Sequence, residues 1–175
     1  MPTGGHAGSA GVAVSLPARP DGDAASVVSW GPIVESSRVD FRFSTRLKVR
    51  FAETDAQGVA HNSAYLVWFE IARIEYLARF RGGYPELRAE GIEALTIESH
   101  VRYLAPARFD DRLAIRSRCG DLRGARFRFD YAIDREADGE RIADGWTRHA
   151  CVEATTYRPT RVPAWLAEAI ATVED

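Results

Sequence analysis

The sequence predicts an α+β domain in which a curled antiparallel sheet covers one long, buried helix. Three observations carry the prediction. From about Ser63 to Phe80 the chain is apolar around most of a helical circumference, as a helix enclosed by other elements must be. Residues 47–51 and four later segments alternate apolar and polar with the period of a strand. Turn chemistry at Asp121–Gly124 and Asp138-Gly139 joins the later strands as hairpins. With 175 residues, 46% of them hydrophobic, the chain is long enough for one substantial core.

Residues 1–40 are expected to be a flexible N-terminal extension, dominated by Gly, Ala, Ser and Pro up to about residue 25, with Trp30, Ile33 and Val34 available to pack on the domain. The domain runs over 41–175. Its first strand places Leu47, Val49 and Phe51 on one face and Arg46, Lys48 and Arg50 on the other. A polar turn, Glu53-Thr-Asp-Ala-Gln-Gly58, leads into the helix. There Tyr65, Phe69, Ala72, Tyr76 and Phe80 share a face, and Glu75 and Arg79 have the spacing of an ion pair. Gly82-Gly83 stops the helix, and Pro85–Gly91 is a short helical turn or loop. The remaining strands carry Leu95–Tyr103, Leu113–Cys119, Phe127–Ile133 and Ile142–Tyr157, and residues 164–173 close the chain as a short helix.

Composition excludes several classes. A formal net charge of -2 argues against nucleic acid or an anionic membrane as partner, and no apolar run reaches the ~18–20 residues of a membrane span. A secretory signal fits poorly, because the first Arg, Arg19, follows the weak apolar run instead of preceding it; the expected location is cytoplasmic. Cys119 and Cys151 lack a metal or redox spacing and read as reduced core residues, and no metal site is expected. His100 and His149 are isolated on strands, packed or facing solvent.

Asp55 thus stands one short loop before the N-terminus of a buried helix. The block VRFAETDAQGVAHNSAYLVWFEIAR, the segment VRYLAPARFDD and the last strand with RPTRVP resemble the 4-hydroxybenzoyl-CoA thioesterase family of hotdog-fold acyl-CoA thioesterases, over about residues 43–170. The resemblance implies a hotdog fold and hydrolysis of acyl-CoA without metal or redox cofactor. It also implies homodimers, often paired into homotetramers, with active sites at the subunit interface. Asp55 matches the family's catalytic aspartate, and Asn62, seven residues on, matches the helix-start backbone N–H beside the thioester oxygen.

Elementary chemistry is consistent with both roles. Helix N-termini carry unpaired N–H groups and partial positive charge, which suit an oxyanion. A nearby carboxylate can attack the carbonyl or activate water. His61 is a third catalytic candidate, able to bond the water, Asp55 or the substrate, with a polar-turn residue as its structural reading. Gly58, a turn residue that can take positive φ and whose missing side chain lets the loop close, and Tyr65, an aromatic that suits an acyl group or the core, are the substrate-binding candidates. Asn62 or Ser63 is a good N-cap. Glu53 reads as a solvent or turn residue, and Glu70 as the ion-pair partner of Arg73. Arg102, Arg112, Arg116, Arg118, Arg126 and Arg128 lie on the polar sides of strands, where one or two suit the phosphates of CoA. The alternatives are a hotdog enoyl-CoA hydratase or dehydratase and a non-catalytic acyl-CoA-binding module. The first needs Asp-x4-His, whereas five residues separate Asp55 from His61.

Overall fold

The computed structural model describes residues 40–174, so the expected N-terminal extension lies outside the described residues but for its last position. In chain order the elements are β1 (Phe43–Lys48), a 3-10 turn (Phe51–Glu53), α1 (Asn62–Ala78), α2 (Tyr84–Ala89), β2 (Ile92–Tyr103), β3 (Arg112–Arg123), β4 (Arg126–Arg135), β5 (Arg141–Glu153) and α3 (Ala164–Glu174). The strands form one antiparallel sheet in the order β1-β3-β4-β5-β2. With α1 held against its inner face, this is the hotdog arrangement.

Register explains why the helix is accepted there. Phe43, Ser117, Tyr131, Gly145 and Val101 stand side by side across the five strands. Phe69 of α1 stacks on Tyr131 with ring centroids 4.1 Å apart. About two turns further on, Tyr76 meets Phe43 and Phe129 edge-on at 5.6 and 5.1 Å. Trp68, Phe69, Tyr76 and Leu77 are all buried, and each such burial contributes ~1.5–3 kcal/mol relative to exposure. Gly145 is required by close approach: a Cβ there would lie 2.2 Å from the His100 carbonyl oxygen and 2.9 Å from the Phe69 ring.

On the outer face, arginines and aspartates alternate across strands. Arg102 pairs with Asp144 at 2.5 Å, Arg116 and Arg141 share Asp134 at 2.6 and 2.5 Å, and Arg128 reaches Asp130 at 2.5 Å. At the chain's end, the Tyr76 hydroxyl donates to Glu174 at 2.5 Å, which anchors α3 to the core.

Several expectations change. Phe51 leaves the strand pattern for the 3-10 turn and is 76% exposed, because the chain bends away from the sheet after Val49. Tyr157 lies beyond β5 in a turn, with φ 55°. The β3–β4 connection is tighter than Asp121–Gly124, since β3 continues to Arg123 past an irregularity in register. Glu75 and Arg79 form no ion pair; the Arg79 guanidinium lies over the Phe43 ring instead, at 5.1 Å. The alternation of β2 is not expressed as burial: Leu95 and Ile97 are 38% and 44% exposed, since β2 is an edge strand with a bulge between Thr96 and Glu98.

Candidate active site

The loop before α1 closes on itself. Thr54 and Ala60 form an antiparallel bridge, the Asp55 N–H donates to the Val59 carbonyl at 2.9 Å, and the His61 N–H donates to the Glu53 carbonyl at 2.7 Å. The tip is a turn in which the Gly58 N–H donates to the Asp55 carbonyl at 3.0 Å, and Gly58 takes φ +73°. A Cβ at Gly58 would meet nothing within 4 Å. The glycine is therefore needed for its backbone angle and not for space, which corrects the expectation that its missing side chain lets the loop close. The Ala60 N–H donates to the Ala107 carbonyl at 2.8 Å, so the segment after β2 braces the loop from outside.

Asp55 is half-buried, and one carboxylate oxygen accepts the Gln57 N–H at 2.8 Å, the side-chain turn that Asp favours. Its second oxygen has no partner among the described residues. Across the closed loop, Asn62 is the first residue of α1, and its N–H is likewise without a partner among the described residues. The arrangement therefore leaves an available carboxylate oxygen in the closed loop and an available helix-start N–H directly after it.

His61, not Asn62 or Ser63, is the N-cap. Its Nδ1 accepts the Ser63 N–H at 3.3 Å and lies 2.8 Å from the Ser63 hydroxyl, and the ring makes no bond to Asp55. Tyr65 is buried. Its ring packs against Trp68 at 4.7 Å and Tyr103 at 4.9 Å. Tyr103, at the end of β2, is exposed and donates its hydroxyl to the Asn62 carbonyl at 3.1 Å. Sequence reasoning gave Tyr103 no role beyond strand alternation; its place in VRYLAPARFDD was the only available signal.

Glu53 is not a solvent residue. Its side chain is only 10% exposed and accepts the Arg50 backbone N–H at 2.8 Å, the Arg50 guanidinium at 2.8 Å and the Trp68 indole N–H at 3.0 Å. Burial pushes this carboxyl up, but the bonds from Arg50 and Trp68 together outweigh it and hold the group below the usual carboxylate range.

The family comparison now decides the class. The sequence model of the thioesterase-like superfamily matches residues 49–170, which span the loop, α1 and the whole sheet after β1. This chain belongs to the thioesterase-like superfamily. It is similar to the acyl-CoA thioester hydrolase YbgC of Escherichia coli O6:H1, at 29% identity over 121 residues, covering 69% of this chain and 90% of that one. Among solved structures it resembles the hypothetical protein TT1821 of Thermus thermophilus (TM-score 0.68, 36% identity, 74% of this chain and 98% of that one). It also resembles the DHNA-CoA thioesterase of Staphylococcus aureus (TM-score 0.69, 27% identity, 75% and 89%). The enzyme class is accordingly that of a thioester hydrolase.

In this superfamily member the other candidates have structural places. Glu70 is exposed and lies 3.5 Å from the buried Arg73, which also donates to the Tyr84 hydroxyl. His149 is buried, and His100 stacks on Trp146 at 5.7 Å. Cys119 and Cys151 are free and buried. Of the arginines considered for phosphate contacts, Arg102, Arg116, Arg118 and Arg128 are engaged by carboxylates. Arg112 and Arg126 are exposed and have no ion pair among the described residues. Among those residues no helix is long and apolar enough to cross a membrane, and no three His, Cys, Asp or Glu side chains gather as a metal cluster.

Proposed function

We propose that this thioester hydrolase cleaves acyl-CoA to free acid and CoA, with Asp55 as nucleophile or general base and the Asn62 N–H polarising the carbonyl. The observation that carries the reading is that the closed loop holds Asp55 with one carboxylate oxygen unengaged and is followed at once by the unengaged Asn62 N–H at the start of α1. As general base, Asp55 takes a proton from water as the water oxygen bonds to the acyl carbon. As nucleophile, its oxygen forms a mixed anhydride that water then opens. In both routes the carbonyl oxygen becomes an oxyanion facing the helix N-terminus, the C–S bond breaks, and the CoA thiolate leaves and takes up a proton. The names of the relatives, an acyl-CoA thioester hydrolase and a DHNA-CoA thioesterase, support the CoA thioester as substrate. Arg112 and Arg126 are the arginines available for the nucleotide phosphates. His61 caps α1 and supports the loop, with no base role.

A homodimer, itself able to pair into a tetramer, completes the reading. The unpaired edge of β2 presents Leu95, Ile97 and Tyr103, and α1 presents Leu66, Val67 and Ile74, apolar surface that a second copy would bury beside the Asn62 helix start.

Hydrolysis of short-chain, long-chain and aryl acyl-CoAs by wild type and Asp55→Asn tests the assignment. The variant is expected to lose ~10²-fold or more in kcat while keeping its fold and oligomeric state. Unchanged turnover by folded Asp55→Asn would sink it, and Glu70→Gln, at an exposed ion-pair position, serves as the control.

A further inference from the structure

We infer that Glu53 is a positioning residue for this reaction, holding the Asp55 loop at a set distance from the α1 N-terminus through Trp68 and the His61 backbone. The inference rests on the proposed role of Asp55. A largely buried carboxylate two residues from the reacting one needs a reason, since burying a charge is costly unless it is fully paired.

The contacts of Glu53 supply that reason. Its carbonyl receives the N–H of His61, the N-cap of α1, at 2.7 Å. Its carboxylate receives the Trp68 indole N–H from the second turn of the same helix, at 3.0 Å, and the Arg50 N–H from the entry side of the loop, at 2.8 Å. One residue thus ties the strand side of the loop to two successive turns of α1.

The tie continues as a closed circuit. Trp68 packs on Tyr65 at 4.7 Å, Tyr65 meets Tyr103 edge-on at 4.9 Å, and the Tyr103 hydroxyl returns to the Asn62 carbonyl at 3.1 Å. The circuit holds both ends of the segment from Glu53 to Asn62, and Asp55 lies within that segment, two residues past Glu53, so a slackened Glu53–Trp68 bond lets the Asp55 turn shift relative to the Asn62 N–H. Misplacements on the order of 1 Å from changes outside the chemistry can cost a rate ~10²-fold. Substrate contact is not involved, so the loss should fall on kcat and spare KM.

The test compares Glu53→Gln and Trp68→Phe, singly and together, with Asp55→Asn, all as the full chain. Gln keeps the size of Glu53 but removes the charge that Arg50 and the indole share. Phe keeps an aromatic ring at the fully buried Trp68 but removes the donor together with part of the ring volume, so the rate is read on protein whose fold is checked by urea unfolding. Each single variant is expected to lower kcat ~10-fold or more with KM within about twofold of wild type, and the double variant to lose no more than the worse single one. Wild-type kcat in either folded single variant would overturn the inference, as would multiplicative losses in the double variant. If Glu53→Gln fails to fold, Trp68→Phe, which leaves the carboxylate bound to Arg50, still decides. Should Glu53→Gln lose activity while Asp55→Asn keeps it, Glu53 would itself be the reacting carboxylate, and the reading of Asp55 would fail. Should Asp55→Asn lose activity while Glu53→Gln keeps it, only the positioning inference would fail.

Discussion

Mild acid should destabilise this protein through a single buried side chain. His149 stands on the inner face of β5, fully buried, with Nε2 2.7 Å from the Thr147 hydroxyl and Nδ1 3.3 Å from the Thr96 hydroxyl. Its ring stacks on Phe127 at 5.0 Å and meets Phe129 edge-on at 5.9 Å. Burial first, and the charge of Arg73 second, push the imidazole down to about 3. An unfolded histidine titrates near ~6.5. Above that pH both states are neutral and the residue adds no pH dependence. Between ~6.5 and about 3 the unfolded chain binds a proton that the folded chain does not, so stability falls as pH falls, by ~1.4 kcal/mol per pH unit. Over two pH units the loss is ~3 kcal/mol, a large share of the ~5–15 kcal/mol typical of a domain. Urea unfolding at several pH values from ~7 to ~4.5 measures it, with His149→Gln as a partner that cannot titrate. Carboxylates contribute to both proteins, so the difference between the curves isolates His149. Wild type should lose stability faster than the variant below pH ~6.5; parallel curves would refute the reasoning.

Two further perturbations probe packing and assembly. Gly145→Ala places a methyl 2.2 Å from the His100 carbonyl oxygen, which forces β2 and β5 apart, and should cost ~1–3 kcal/mol or more, read as a lower urea midpoint. Ile97→Arg puts a charge on the exposed β2 edge and should shift the proposed homodimer to monomer in sedimentation equilibrium with little change in monomer fold; a wild-type monomer would refute the dimer, and a retained dimer would place the interface elsewhere.

Local chemistry accounts for what could be read in advance. The α1 helix was legible because its circumference is apolar and its end is marked by Gly82-Gly83, and its observed span, Asn62–Ala78, differs from the reading by a residue or two at each end. β3 and β4 were legible because Leu113, Ile115, Phe127, Phe129 and Ile133 alternate with other residues, among them Arg112, Arg116, Arg126, Arg128 and Asp134, and stand on one buried face. Where alternation misled, the cause was position in the sheet. Leu95 and Ile97 have the pattern of an inner strand, but β2 lies at an edge, and no local pattern reports strand order. Phe51 continues the period of β1, yet the chain turns before reaching it.

The Asp55 loop divides in the same way. By itself the sequence determined that a turn with a left-handed glycine precedes a buried helix and that Asp55 sits at its tip, because turn chemistry and helical periodicity depend on near neighbours alone. Only the tertiary structure decided which groups that turn leaves available and what braces it. Glu53 reads as a turn carboxylate until Trp68, fifteen residues on, brings an indole N–H to it, and Tyr103 reads as a strand residue until β2 ends beside Asn62. Those contacts join residues far apart in the chain, and their geometry exists only once the helix has been packed into the sheet.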